Sequence, residues 1–353
     1  MKACYINGLG SVSSQKTFEG DFLAEIAIDE TLNVRFAQQP SYKEMIPPAM
    51  IRRMAKGVKM GIFASNKALA EAEITYPDAI ITGTGMGCVE DSEKFLKAII
   101  DNQEQFLTPT SFIQSTHNTV AGQIALGLQC KSYNFTYVNG AVSFETALLD
   151  GKMQIETEEA QSVLVGGIDE TSAHTLELFK LIDLIKKEEA QPYAIKNTET
   201  PGVVFSEGAT FFALDNQQKE STYAKLEAVE LRNVLAKEDV AGFVQEFLVS
   251  QNLTTQDIDA VILGYNGDVN FDGYYDEVAS LFTNTSQLYY KNISGEYNTA
   301  SAFGLWMASH VIKNQVVPEI LQWNTVKPAS LKKVLLYNQY QGIDHSLVLL
   351  SQC

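Results

Sequence analysis

The chain has 353 residues, 43 of them Asp or Glu and 26 Lys or Arg, for a net charge of −17. That length and a hydrophobic fraction of 45% allow two domains or one large layered one with a sizeable core, which excludes general disorder. The acidic balance argues against a protein that coats nucleic acid or anionic membrane, since phosphate binding needs surface Lys and Arg. Four cysteines (Cys4, Cys88, Cys130, Cys353) form no CxxC pair and no two lie within 40 residues, so neither a disulfide framework nor a zinc site is expected. The opening MKACYINGLGSVSS has no signal-peptide core, and no run approaches a membrane span, so the expectation is a soluble, cytoplasmic protein.

In chain order, the first long helical run without proline is Ile51 to Ala72. DAIITGTG (78–85) reads as a buried strand entering a glycine turn, TGTGMG (82–87). That turn lacks the GxGxxG pattern and the Lys of a phosphate loop, so close backbone packing is the expected role rather than nucleotide binding. YNFTYVNGAVSFETALLDG (133–151) reads strand, tight turn, helix, a geometry that can present a nucleophile at a helix N-terminus. The turn holds no cysteine. Ser143 would need a neighbouring base to attack, and a hydroxyl that satisfies backbone N–H groups is the plainer role.

SVLVGG (162–167) and ATFFAL (209–214) are further strands, separated by a charged, proline-broken segment (183–203) expected to be a surface loop. DNQQKES (215–221) is the natural join between two parts of the chain. Beyond it, Val240, Phe243, Val244, Phe247 and Leu248 recur at i, i+3, i+4, i+7 and i+8, one apolar helical face. AVILG (260–264), KVLLY (333–337) and SLVLL (346–350) complete the strand set. Short continuous apolar strands between helices imply a sheet covered on both faces, hence α/β layers.

Two internal matches suggest a duplication. DAIITGTG (78–85) matches DAVILGYNG (259–267), and NTVAGQIA (118–125) matches NTASAFGL (298–305), at offsets of 181 and 180 residues. The expected halves are 1–214 and 222–353. GDVNFDGYYDEVA (267–279) begins like a calcium loop with Asp268, Asn270, Asp272 and Gly273, but Ala279 stands where a bidentate Glu belongs, so calcium is not expected there.

Taken together, TGTGMG, TPTSFIQSTHNTVAGQIALGL (108–128), VLVGGID (163–169) and FSEGATFFAL (205–214) resemble, in order and over most of the chain, the β-ketoacyl synthase branch of the thiolase superfamily. The resemblance implies a five-layered αβαβα fold built from two duplicated halves, with loops trimmed relative to longer members. It also implies a Cys nucleophile that carries the acyl group and two His that promote malonyl decarboxylation and stabilise the enolate and oxyanion. Carried over residue by residue, the nucleophile position falls on Ala141. The first His falls on Asn266 and the second on Glu296, while the Lys before it matches Lys291. Three of four catalytic positions are lost. The C-terminal glycine-rich turn, NQYQGIDHSLVLL (338–350), runs about two residues short of the family form.

None of the four His (His117, His174, His310, His345) matches a catalytic position. His310, on the apolar stretch 303–313, is expected in the core or an interface, and His117, near the glycine turn, in a structural role. Glu296 beside Lys291 is either a general base or an ion pair filling the old site, and pairing is the more economical arrangement for a buried carboxylate. The resemblance therefore implies a non-condensing, chain-length-factor-type subunit of fatty-acid, polyketide or aryl-polyene biosynthesis, partnering an active synthase and using no cofactor or metal. Two alternatives stand beside it: a condensing or acyl-transfer enzyme using Ser143 or Glu296, and a homodimeric binder of acyl chains or acyl carrier protein. Lys43, Arg52, Arg53, Lys56 and Lys59, against the single acid Glu44, form a local basic excess. Arg52, Arg53, Lys56 and Lys59 are the candidate dock for an acidic acyl carrier protein, with a solvated helix face as the bland alternative.

Overall fold

A computed structural model describes residues 2–19 and 26–353. Up to the mid-point the chain runs β1 (Tyr5–Val12), β2 (Val34–Arg35), α1 (Pro48–Ile51), α2 (Lys56–Glu71), β3 (Ala79–Gly83), α3 (Val89–Asp101), α4 (Pro109–Ser115) and α5 (Thr119–Leu128). There follow β4 (Tyr133–Tyr137), α6 (Ser143–Glu156), β5 (Ser162–Asp169), α7 (Ala173–Leu181), β6 (Phe205–Ser206) and β7 (Gly208–Asp215). The rest is β8 (Ala224–Asn233), α8 (Val240–Ser250), β9 (Ala260–Leu263), α9 (Gly273–Leu281), β10 (Ser286–Tyr289), α10 (Lys291–Ser294), α11 (Ala300–Asn314), β11 (Lys333–Tyr340) and β12 (Asp344–Ser351).

The strand order is β10-β9-β11-β12-β8-β1-β7-β5-β3-β4. Only two residue pairs, Tyr5–Lys225 and Ile6–Ala224, join β1 to β8, so the sheet has a seam there. On either side the pattern is the same. β3 lies parallel to β4 and β5, and β9 lies parallel to β10 and β11; the other pairs of this sheet are antiparallel, and β2 and β6 pair in parallel apart from it.

Side-chain alternation turns this order into layers. Successive strand residues point to opposite faces, so Leu164 joins an outer cluster with α2 and α5, while Val163 and Val165 join a central one with α6 and α11. Beyond the seam, Val261 and Leu335 face α8 and α9 in the other outer cluster, whereas Ile262 and Leu336 face the centre. Three apolar clusters separated by two sheet halves make the αβαβα stack, and strands buried on both faces explain the continuous apolar runs.

The five apolar positions from Val240 to Leu248 are all buried on α8. Four readings need correction. The run 51–72 is two helices: the chain leaves α1 at Arg52 and becomes extended at Ala55 (φ −54°, ψ 155°) before α2 begins. The second internal match pairs unlike elements. The helix between β4 and β5 is α6 and that between β10 and β11 is α11, and both occupy the central layer, whereas NTVAGQIA opens α5 in an outer layer. The two segments share helix-start chemistry, not a position. Strands β1, β8 and β10 lie outside the expected strand set. In β1, Gly8 and Gly10 dilute the apolar pattern because α2 crosses them: a Cβ on either would sit 2.0 Å from a carbonyl oxygen, of Ala68 and Ala64 respectively.

The segment 183–203 is not a surface loop throughout, since Ile185, Lys186, Tyr193, Ile195 and Val203 are buried. The Lys186 ammonium, 1% exposed, donates to Thr198 Oγ1, to the Thr200 carbonyl and hydroxyl, and to the Gly267 carbonyl at 2.7 Å. It thereby pins this segment over the turn that follows β9.

Candidate functional site

Parallel neighbours end on the same side of a sheet, and loops leaving those ends converge. Leu263 of β9 is level with Tyr289 of β10 and Tyr337 of β11. Asn266, Lys291 and Asn338 follow those positions by one to three residues and therefore gather at one edge. Glu296 is brought in separately. Its backbone pairs with the stretch around β6, accepting from Ser206 N–H at 2.9 Å and donating to the Val204 carbonyl at 2.8 Å. Gly295, at φ +70°, makes the bend that permits this, and a Cβ there would meet the Ser206 side chain at 2.5 Å.

Three of the expected positions meet directly. Glu296 Oε2 accepts from Lys291 Nζ at 2.7 Å and from Asn266 Nδ2 at 2.7 Å. The Asn266 carbonyl oxygen accepts from Asp268 N–H at 3.1 Å, which fixes the amide's orientation. Asn266, Lys291 and Glu296 are 6%, 1% and 3% exposed. A carboxylate oxygen shared between an ammonium and an amide, out of contact with solvent, is committed to those partners rather than free to act as a base.

Ala141 lies in the turn after β4, in a short 3-10 segment, Gly140–Val142, that leads into α6. Gly140 has φ +54°, the left-handed conformation a tight turn needs. Ala141 N–H donates to Asp344 Oδ2 at 3.3 Å, and Asp344 Oδ1 accepts from Asn233 Nδ2, so the turn is tied across the seam to the β11–β12 hairpin. Ala141 is buried and carries only a methyl group, so no acyl-enzyme forms there. Ser143 does not replace it. Its fully buried hydroxyl accepts from Asn139 N–H at 2.8 Å and lies within hydrogen-bond reach of the Gly140 and Thr84 carbonyls, so its partners among the described residues are backbone groups rather than a base.

Several groups around these positions have no signature in sequence. Glu145, four residues beyond Ala141 on α6, is fully buried; its Oε1 accepts from Ser346 Oγ at 2.7 Å, and burial pushes its carboxyl up against the Ser346 and Ser301 hydroxyls that favour its charge. Burial also pushes Asp272 up to about 7, against the Asn266 and Gly267 amides that favour its charge. Tyr275 and Tyr290 hydroxyls converge on the Asn338 side-chain oxygen at 3.3 and 3.2 Å. Gly264 leaves them room, since a Cβ would lie 2.4 Å from that oxygen.

The glycine turn TGTGMG does hold an acidic group, but an internal one, and burial pushes its carboxyl up against its hydrogen-bond donors. Asp169, at the end of β5, accepts at Oδ1 from Thr84 Oγ1, Gly85 N–H and Met86 N–H, and at Oδ2 from the N–H and hydroxyl of Thr299. Five donors stitch the turn to the start of α11. The next residue, Glu170, accepts from Gly57 N–H at 2.5 Å and Glu90 N–H at 3.1 Å, so one carboxylate caps both α2 and α3, whose own N-caps (Ala55 and Cys88) make no side-chain cap. A charged pair directly after an apolar strand was the available signal for both residues.

The calcium-like segment is half helix: Gly273 opens α9 and Glu277 sits inside it. Asp268 and Asp272 instead accept from the N–H groups of Asn270 and Asn266. Among the described residues no group of three or more His, Cys, Asp or Glu side chains is placed to hold a metal. His117 stands against the Gly87 backbone, His310 packs on Trp306 and Tyr223, His345 is buried against Tyr337, and His174 is exposed at the start of α7.

The basic stretch divides. Lys56 turns inward to the buried Glu207 (2.5 Å) and the Thr171 carbonyl, and Lys59, half-buried, acts on Glu90 and Asp91. Lys43, Arg52 and Arg53 remain exposed and enter no salt bridge with a described residue. Of the four residues expected to form a dock, Arg52 and Arg53 are exposed, as is Lys43.

Residues 30–243 match the family described as "Beta-ketoacyl synthase, N-terminal domain", which spans more than half of the chain. The chain belongs to the β-ketoacyl synthase family. Solved structures agree on the fold. The ishigamide ketosynthase/chain length factor superposes with a TM-score of 0.80 at 16% identity, over 100% of this chain and 99% of that one. A β-ketoacyl synthase from Burkholderia phymatum gives 0.76 at 16% over the whole of both chains. The ketosynthase ApeO in complex with its chain length factor ApeC, from Xenorhabdus doucetiae, gives 0.76 at 14%, covering 100% and 98%. A search of curated protein sequences gives no match. As a β-ketoacyl synthase relative the chain keeps the scaffold, and no helix among its described residues is long and apolar enough to cross a membrane.

Proposed function

We propose that this β-ketoacyl synthase relative is a non-condensing, chain-length-factor-type subunit that pairs with a Cys-bearing synthase in the cytoplasm and serves fatty-acid, polyketide or aryl-polyene assembly. The observation that carries the reading is the closed Lys291–Glu296–Asn266 cluster, together with Ala141 at the position the resemblance gives to the nucleophile. A site that retained chemistry would keep a solvent path and a free base. The mirrored strand order on either side of the β1–β8 seam supports the division into halves 1–214 and 222–353.

The partner surface follows from sheet physics. β4 ends the strand order and pairs only with β3 among the described residues, leaving a row of backbone groups that invites another strand. It carries no charge to discourage pairing. Tyr133, Phe135 and Val138 are 43–50% exposed, and the Tyr133, Phe135 and Tyr137 rings follow one another at 6.2 and 4.8 Å. An aromatic edge of that kind is stable in water when a partner covers it. Two of the structural neighbours are named as a ketosynthase with a chain length factor, which fits this arrangement.

Co-expression with the Cys-bearing synthase from the same cells tests the reading. A stoichiometric complex is expected, and Phe135→Lys should dissolve it while leaving the isolated chain folded. A protein that purifies alone, and is dispensable for product assembly, contradicts it. The same edge also fits a second copy of this chain. Sedimentation of the chain with and without synthase separates the two, because the heterodimer is expected to displace any self-pair.

A further inference from the structure

Arg35 is a buried cation that takes no part in the Lys291–Glu296–Asn266 cluster. It lies on β2, whose two residues pair in parallel with Phe205 and Ser206, and its carbonyl accepts from Ser206 Oγ at 2.7 Å. The residue is 6% exposed. Its Nη1 donates to the Asn292 carbonyl at 2.5 Å and its Nη2 to the Asp29 carbonyl at 3.0 Å, while Nε has no partner. Asp29 and Glu30 act on it from beyond salt-bridge range, and burial pushes its pKa down. A guanidinium keeps its proton in a protein, so among the described residues this buried charge stands without a counter-ion. Arg35 lines a hollow of about 440 Å³ whose apolar walls are Ala27, Ile28, Leu32 and Phe36. The other charged groups of the lining are engaged: Lys16 pairs with Glu19 at 2.6 Å, and the Asp29 carboxylate accepts from the Thr31 N–H and hydroxyl.

We propose that this hollow binds an organic monocarboxylate, with its carboxylate on the Arg35 guanidinium and its apolar body against Ile28, Leu32 and Phe36. The planar fork of N–H donors suits a carboxylate better than a point charge would. Its contacts to the Asn292 and Asp29 carbonyls hold that fork in place before a ligand arrives, so little freedom is lost on binding. The volume falls in the range of small-molecule sites, roughly 300–1,000 Å³. The apolar walls decide against a bare inorganic anion, which would leave them without a partner. The exposed Asp29 carboxylate in the lining decides against a doubly charged phosphate, which it repels more strongly than a single charge. The lining does not include Ala141, Asn266, Lys291 or Glu296, so the site is separate from the catalytic positions and stands independently of the subunit reading.

Titration of the full chain with benzoate, its uncharged isostere benzamide and inorganic phosphate tests the proposal. Benzoate should bind with a Kd below about 1 mM, and benzamide and phosphate at least about tenfold more weakly. Arg35 is one of four arginines, and its Nε signal in arginine-labelled protein, assigned by replacing the others with Lys, should move on addition of benzoate. Arg35→Lys keeps the charge but not the fork and should weaken benzoate about tenfold. Leu32→Asp, at a position 47% exposed, should weaken it by a similar factor and leave thermal unfolding of the ligand-free chain unchanged. No binding of benzoate, equal binding of benzamide, tighter binding of phosphate, or benzoate binding that neither substitution weakens overturns the proposal. Should Arg35→Lys fail to fold, the Leu32→Asp comparison and the Arg35 signal decide it.

Discussion

The side-chain amide of Asn266 donates to Glu296 Oε2 at 2.7 Å, so the two positions where the family resemblance places its histidines hold each other. Lys291 completes the group on the same oxygen. A carboxylate on its own would be too costly at 3% exposure, and the retained lysine together with the amide compensates it. The positions that the resemblance gives to the catalytic groups are thus occupied by a mutually bonded cluster.

That cluster is coupled. Glu296→Ala leaves the Lys291 ammonium buried and unpaired, and should cost about 3–5 kcal/mol in urea unfolding. Lys291→Met with Glu296→Leu removes both charges and should cost clearly less than the sum of the single changes. Additive losses would show that the pair is not energetically linked.

Asp169 should tolerate no amide. Asp169→Asn turns an NH2 toward one of its two donor sets, either Thr84, Gly85 and Met86 or Thr299, and at least two buried donors then lose their acceptor. The expected loss is about 2–5 kcal/mol, read as a fall in Tm. A change below about 0.5 kcal/mol would mean the turn is not held through this carboxylate.

Stability should fall as pH rises from the ordinary carboxylate range to about 7. Burial pushes Glu170 and Asp272 each up to about 7, so the folded chain keeps protons there that the unfolded chain has released. Unfolding then sheds protons, and the stability difference is present below about pH 4 and lost by pH 7, on the order of 3–4 kcal/mol per group at most. Glu170→Gln should flatten part of this slope and raise stability relative to the parent at pH 8. An unchanged slope between pH 4.5 and 7 contradicts the assignment.

Two glycines should respond oppositely to alanine. At Gly8 the new methyl would sit 2.0 Å from the Ala68 carbonyl oxygen, so Gly8→Ala should push α2 off β1 and cost more than about 3 kcal/mol. At Gly122, inside α5, nothing lies within 4 Å, and Gly122→Ala should stabilise by about 0.5–1 kcal/mol. Thermal unfolding of the pair checks the packing of both faces.

Much of the scaffold was legible because apolar strands buried on both faces announce themselves: SVLVGG, ATFFAL, KVLLY and SLVLL lie in strands, as does AVILG up to Leu263. What escaped notice has physical reasons. β1 is diluted by the glycines that admit α2, and β8 alternates apolar with charged residues such as Lys225 and Glu227. The Lys291–Glu296 contact was readable from five-residue spacing and charge. The third member, Asn266, arrives from another strand, and chain proximity gives no sign of that. Glu145 looks like a surface acid in the sequence, and only packing makes it a buried one. Lys56 likewise reads as part of a basic face until Glu207, 151 residues later in the chain, turns it inward.

The central claim is that this chain does not carry the acyl group. Intact-mass measurement of the co-purified complex with its synthase, after incubation with acyl and malonyl carriers, tests it most directly. The synthase chain should gain the acyl mass while this chain stays at its unmodified 39.0 kDa. A covalent acyl adduct on this chain would contradict the account.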